Sequence, residues 1–404
     1  MNKKHFCIVG EGRPVHKKLK DMGALLTLFI KNDCLHHGDS ALYDSIHSFA
    51  KTDEHTKWAD VAGVIHQHQP FDKILCVDEE SFEQYKAITQ HLEIEVENIT
   101  VMENVTYKEK ARQLLHDSNI DDSRFFYIDD KAKINPGIAY VGFPLIVKPV
   151  NGQASEGVKM FTEQQQAKAI EYIEKGLNQG SILIEQFWVG SEYSIETLSE
   201  NGEHFILGIT KAYEDDVTFV ETGHCFPAHD LTDREVEQVK HFVSRSLTAL
   251  GIKNGAGHTE VILSKGAPRF VETHTRCGGD QIVDLVKAVT GLDMFTLWCE
   301  QLLGNSIADK KLSPSSYGAY AAIQFLYSDK PGRLNTIQKG LVKPNEGRFK
   351  LKVEALKAEG EELKTIEKVG DRLASAIAID SDGEAALQQA REALDKFEYS
   401  ISTL

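Results

Sequence analysis

The sequence predicts an α/β protein with α+β subdomains. Over residues 1–105, short apolar runs alternate with helical stretches, which argues for a parallel sheet covered on both faces. Between about residues 180 and 275, apolar strands follow one another with turn chemistry between them. From Ser313-Pro314-Ser315-Ser316 onward the pattern changes to short strands, charged turns and a closing helix. The expected divisions are 1–105 (parallel-sheet domain), 106–315 (core) and 316–404 (C-terminal α+β subdomain).

Each element has its own signal. Residues 6–9, 24–30 and 73–77 are apolar strands, the last followed by an acidic helix start at Asp78-Glu79-Glu80. Gly10-Glu11-Gly12 reads as a tight turn, since the third glycine of a dinucleotide loop is missing. A helix is expected over 104–120, with Ala111, Leu114 and Leu115 on one face. A strand over 141–149 ends at Lys148-Pro149, and a helix over 163–176 leads to a strand over 181–185. Strands over 194–198 and 205–210 precede an amphipathic helix over 232–250 with Thr232 and Asp233 as caps. Residues 257–263 and 269–272 form a hairpin pair around the Lys265-Gly266 turn. Strands over 319–327 and within 341–380, then a helix over 382–396, complete the chain, and the charge run 357–368 reads as a solvated helix or turn.

A net charge of −16 argues against a nucleic-acid partner, because phosphate binding needs a basic face. No apolar run approaches the roughly 20 residues of a membrane span, so no membrane partner is expected. The six cysteines form no C-x-x-C pair, which fits reduced thiols and a cytoplasmic protein. Cys277, beside Arg276, is set aside as a nucleophile, and His36-His37 and His66-x-His68 read as surface histidines.

Three features carry chemistry. Lys148 and the small-residue loop 151–158 are either a phosphate cradle or a plain glycine loop. The stretch Glu185 to Glu192 is either an ordinary strand-to-turn segment or a purine seat, with Glu192 available to ribose hydroxyls. Glu260 and Glu272 lie on the two hairpin strands and, paired antiparallel, can face one side. Two such oxygen ligands suit Mg²⁺ completed by nucleotide phosphates. Salt bridges to Arg276 and Lys265 are the alternative.

The order of Lys108, Lys148-Pro149, the small-residue loop, Glu185 to Glu192, Glu260 and Glu272-x-His274-x-Arg276-x-Gly278-Gly279 resembles the ATP-grasp superfamily. Within it, Glu221-Thr222-Gly223-His224-Cys225-Phe226-Pro227-Ala228 and Gly257-His258-Thr259-Glu260 are similar to bacterial L-amino acid ligases, which join two amino acids into a dipeptide. The resemblance implies an ATP-grasp fold with ATP and Mg²⁺ as cofactors, Mn²⁺ being a substitute. Lys108, Lys148, Gly152, Ser155, Glu156 and Gly157 would contact the nucleotide or its phosphates. Glu185, Phe187 and Trp188 would form the adenine hinge, and Glu192 would hold the ribose. Glu260 and Glu272 would bind the metal, and Arg276 would stabilise an acyl phosphate. His258 would either position substrate or act as a base. His274 stands where the family often has asparagine; it is left outside the metal shell as a substrate or phosphate contact. The implied partners are amino acids, with arginine-like first substrates suggested by Glu221, Asp280 and Asp284; such ligases are often dimers, which leaves a homodimer open. A ligase for another carboxylate and a non-catalytic nucleotide-binding regulator are the rival readings.

Overall fold

The computed structural model describes residues 3–94, 99–150, 157–312, 317–337 and 351–402. The first four strands, β1 (His5–Val9), β2 (Leu25–Lys31), β3 (Ser45–Phe49) and β4 (Lys73–Cys76), pair in parallel in the order β3-β2-β1-β4. β1 is buried along its whole length, as a parallel strand covered on both faces must be. Strand order reverses at β1, so the crevice past the carboxyl ends of β1 and β4 is the place such a sheet offers to a polar group. Glu79 stands there, opening the short helical turn Glu79–Ser81 that Asp78 caps.

A second sheet contains β5 (Phe125–Ile128), β6 (Leu145–Pro149), β7 (Lys159–Phe161) and β8 (Ile182–Gln186), in the order β5-β8-β6-β7 and antiparallel throughout. The remaining strands are β9 (Ser191–Glu200), β10 (Glu203–Glu214), β11 (Glu221–Phe226), β12 (Gly255–Ser264), β13 (Ala267–His274), β14 (Tyr320–Leu326), β15 (Gly332–Ile337), β16 (Leu351–Ala355), β17 (Glu362–Leu363), β18 (Ala374–Asp380) and β19 (Tyr399–Ser402). Eight of them build the central sheet, ordered β13-β12-β9-β10-β11-β14-β18-β16, and β17-β15-β19 form a small sheet. The central sheet therefore runs straight across the expected division at 315/316. The charge run 357–368 contributes the short edge strand β17.

The two-residue period of a strand sorts the faces of β9. Tyr193 and Ile195 enter a cluster with Val239, Val243 and Leu247 of the helix Asp233–Leu250. Glu192, Ser194 and Glu196 point the other way. That helix begins where its sequence predicts, with Thr232 and Glu235 forming a reciprocal capping box. The β12–β13 turn has Lys265 at φ 51° and Gly266 at φ 75°, the left-handed pair that a tight hairpin requires. At Gly208 in β10, an added Cβ would lie 2.1 Å from the buried Phe226 ring, so glycine there lets the ring lie against the strand.

The helix expected over 104–120 is two helices, Ile99–Thr106 and Lys108–Asp117. Tyr107 breaks them in an extended conformation (φ −91°, ψ 99°), and its hydroxyl donates to Glu83 at 2.7 Å. The break puts Lys108 at the start of the second helix, one turn before Arg112. Both residues reach the site from there.

Candidate active site

Two rungs of the central sheet build the site. Glu272 pairs with Glu260, which pairs with Ser194; His274 pairs with His258, which pairs with Glu196. Residues opposite one another on neighbouring strands project to the same face, so Glu260 and Glu272 share a side, as the hairpin pattern predicts. Ligand atoms of Glu260, Glu272 and His274 all lie within 4.8 Å of one another. This face opens into a pocket of about 540 Å³, a size that suits a nucleotide-sized ligand.

Cations converge from the other elements. Lys108 Nζ lies 2.9 Å from Glu272 Oε2, and Lys148 Nζ lies 2.6 Å from Glu185 Oε2. Arg112 also grips Glu185, with Nη2 donating at 3.1 Å, and its Nη2 donates again to the Val271 carbonyl at 3.0 Å. All three members of the Glu185 group are at least nine-tenths buried. Burial alone would raise the Glu185 carboxyl; Arg112 and then Lys148 bring it down to about 2. Burial lowers the Lys148 ammonium, against the pull of Glu185.

Glu79 reaches in from the parallel sheet. It accepts from His274 Nδ1 at 2.8 Å and from Arg276 Nε at 3.1 Å. Burial works against its ionisation, and His274 followed by Arg276 brings its carboxyl down to about 2. Glu79 and Glu185 thus ionise more readily in the fold than at their ordinary value of 4.5. Their contribution to stability is complete above pH 4.5 and disappears as the pH falls towards 2. Acid titration followed by thermal melting is expected to show a steep loss between those limits, and Glu185→Gln should flatten it; an unchanged acid limb in that variant would contradict the pairing.

His258 lies between two carboxylates. Its Nδ1 faces Glu196 Oε1, and its Nε2 lies 3.1 Å from Glu260 Oε1. Burial would lower its pKa, yet Glu196 and Glu260 push it up to about 10. An imidazolium held so firmly is a poor base near neutral pH, so of its two expected roles the geometry favours positioning.

At the other side of the pocket the charge is acidic. Glu192 and Glu214 lie within hydrogen-bonding reach of each other, and both carboxyls are raised, chiefly by burial. Glu214 is opposite Glu221 across β10 and β11. Burial and then Asp280 push Glu221 up to about 7. Asp280 carries its own partners: Arg372 grips both of its oxygens, with Nη2 to Oδ2 at 2.6 Å, and His224 Nε2 lies 3.1 Å from Oδ2. Arg372 also lies over the Phe325 ring at 3.6 Å and donates to the Glu221 carbonyl at 3.0 Å.

Of the residues singled out in sequence, Lys108, Lys148, Glu185, Phe187, Trp188, Glu192, His258, Glu260, Glu272, His274 and Arg276 all line this pocket. Three differences stand out. The Glu185 carboxylate, at the start of the expected adenine hinge, is committed to Arg112 and Lys148, because a buried anion must be paired. Glu260 and Glu272 pair with His258, Lys108 and His274, and neither Arg276 nor the exposed Lys265 is their partner. His274, expected outside the metal shell, groups with both glutamates. Trp188 is fixed by Ser123, which accepts from its Nε1 at 2.8 Å, and by Arg269 stacked at 4.2 Å. Asp284 is exposed on the helix Ile282–Thr290 and does not line the pocket. Gly152, Ser155 and Glu156 lie outside the described residues. Gly157 is described, with φ 75° and its carbonyl accepting from the Tyr172 hydroxyl at 3.2 Å, but it does not line the pocket. The Cys277 thiol is buried, which pushes its pKa up and fits its dismissal as a nucleophile. Sequence reading missed Glu79, Arg112, Glu196, Glu214 and Arg372. For Glu196 the signal was there: an acidic residue on the same face of one strand as Glu192.

Residues 141–284 match the family model described as an ATP-grasp domain. The fold as a whole is the ATP-grasp fold: an L-amino acid ligase from Bacillus licheniformis superposes with a TM-score of 0.82 at 21% identity, covering all of both chains. A phosphoribosylglycinamide synthetase from Anaerococcus prevotii gives 0.71 at 17% identity, covering 99% of this chain and 100% of that one.

Among curated proteins, alanine–anticapsin ligase of Bacillus subtilis (strain 168) is 26% identical over 237 residues, 52% of this chain and 49% of that protein. The large chain of carbamoyl phosphate synthase from Caldanaerobacter subterraneus subsp. tengcongensis is 27% identical over 214 residues, 50% of this chain and 19% of that one. The chain thus has the ATP-grasp fold, matches the ATP-grasp domain model over residues 141–284 and resembles L-amino acid ligases, and it spans about half the length of the first curated relatives it matches. Among the described residues, no helix is long and apolar enough to cross a membrane.

Proposed function

We propose that the chain is an ATP-dependent carboxylate–amine ligase that joins two L-amino acids into a dipeptide, releasing ADP and phosphate. The observation that carries the reading is the facing pair Glu260 and Glu272 in a pocket that also holds Lys108, Lys148 and Arg276. Two hard carboxylates within reach of each other suit Mg²⁺, and the neighbouring imidazole leaves Mn²⁺ as a workable substitute. Magnesium on these residues would neutralise phosphate charge. Lys148 and Lys108 would meet the phosphates, giving up their present carboxylate partners, while Phe187, Trp188 and Glu192 would take the base and ribose.

In the proposed reaction an oxygen of the first amino acid's carboxylate attacks the γ-phosphorus and ADP leaves, giving an acyl phosphate. The free amine of the second amino acid attacks the carbonyl carbon, loses a proton, and expels inorganic phosphate. Little covalent work falls to the protein: positioning and fixed charge do most of it. Arg276, held by Glu79, presents its guanidinium where negative charge develops.

A basic first amino acid such as arginine belongs to the same reading. Because Arg372 already neutralises Asp280 and Asp284 is remote, its support is the facing pair Glu214 and Glu221. A homodimer in the cytoplasm also belongs to it, supported by the habit of similar ligases. Release of ADP and phosphate, screened over all amino acids singly and in pairs, tests the proposal. Turnover that requires two amino acids is expected, fastest with arginine. Equal rates with arginine and leucine would overturn the substrate class. ATP bound without turnover on any pair would overturn the ligase and favour a regulatory nucleotide-binding protein.

A further inference from the structure

Glu196 is a carboxylate with 0% exposure in the middle of β9. A buried anion is costly unless its oxygens are used, and both are used on residues of the site. Oε1 faces His258 Nδ1 in a short hydrogen bond, and Oε2 accepts from the Gly278 N–H at 3.0 Å. His258 passes the contact on through Nε2, 3.1 Å from Glu260 Oε1. Behind Arg276, the turn comes so close that a Cβ on Gly278 would lie 2.6 Å from Glu196 Oε1 and 2.7 Å from His258 Nδ1. His258 is also stacked on His274, with ring centroids 5.9 Å apart and planes 21° apart. One carboxylate thus ties β9 to β12 and to the segment after β13.

We infer that Glu196 is a positioning residue: through His258 it sets the orientation of Glu260 for the metal-bound nucleotide, and through the Gly278 N–H it fixes the turn that follows Arg276. The inference rests on the proposal that Glu260 and Glu272 hold the metal. Outer partners of a metal ligand orient it, and losing them typically weakens metal affinity about 10- to 100-fold.

The test is the calorimetric affinity of the purified full chain for the manganese complex of AMP-PNP, a non-hydrolysable ATP analogue, beside the same analogue with EDTA. Four variants are compared with the unmodified chain: Glu196→Gln, His258→Gln, the two together, and Glu260→Gln. Glu196→Gln is nearly isosteric; its amide oxygen still accepts from Gly278 while its NH₂ faces His258. It should weaken the manganese complex about 10-fold or more and leave the metal-free analogue within about twofold. Because the two residues act in series, the double variant should bind no more weakly than His258→Gln alone. A purely structural role would instead weaken both forms of the nucleotide together. Manganese-complex affinity in Glu196→Gln equal to that of the unmodified chain would overturn the inference, as would effects that multiply in the double variant. If Glu196→Gln fails to fold, His258→Gln alone carries the test, since it cuts the same link; normal affinity there would overturn it. Glu260→Gln separates the two readings. If it binds the manganese complex normally, the metal-site proposal itself fails; if it is weakened while Glu196→Gln is not, only the positioning role fails.

Discussion

Arg276→Ala is expected to lower kcat by about 10²- to 10³-fold, the usual effect of removing one fixed donor aimed at developing charge. The guanidinium is held by Glu79 at 3.1 Å through Nε, and Nη1 donates to the Cys277 carbonyl at 3.2 Å. Burial opposes its charge, and Glu79 more than restores it. Lysine should not rescue the loss, because a single ammonium cannot keep the Glu79 contact and present a planar fork to a phosphate. The fold should survive, since Glu79 retains His274 at 2.8 Å. Steady-state ADP release with parallel thermal melting checks both statements. Rates within about threefold of normal would refute the assigned role, and a collapse of the melting transition would make Arg276 structural.

The largest expected effect on stability is at Arg112. Its side chain is 7% exposed and holds Glu185 from two nitrogens, while also capping the Phe270 and Val271 carbonyls. Arg112→Ala leaves a buried carboxylate with only Lys148, together with two carbonyls without that donor. Removing one partner of a buried pair costs about 3–5 kcal/mol. Denaturant unfolding measures this directly. Arg112→Met restores the volume but leaves the carboxylate underpaired, so most of the loss should remain. A cost below about 1 kcal/mol in either variant would show that Glu185 and Lys148 suffice as a pair.

What could be read in the sequence was what repeats at short range. The period-two placement of Glu260 and Glu272 around a Lys265-Gly266 turn determines their facing geometry locally, because register follows from turn chemistry and apolar alternation. The caps of the helix Asp233–Leu250 were legible for the same reason. Contacts between distant elements were not. Glu79 lies 197 residues from Arg276, and Arg112 lies 73 from Glu185, so no local pattern joins either pair. The break at Tyr107 was hidden because no proline or glycine marks it, so tertiary contacts overrode the local helical pattern. Glu185 was legible as a pocket residue, but its two buried cations were not, since nothing nearby in sequence announces them. Arg372 sits in the C-terminal region and enters the site only because β14 and β18 extend the central sheet.

The central claim is that Glu260 and Glu272 together receive the metal of a bound nucleotide. Anomalous diffraction from crystals of the full chain grown with manganese and AMP-PNP tests it most directly. One strong manganese peak is expected within ligand distance of oxygens of both glutamates and of the analogue's phosphates, with Lys108 moved from Glu272 onto a phosphate. Manganese found elsewhere, with Glu272 still bound to Lys108 and Glu260 still turned to His258, would contradict it.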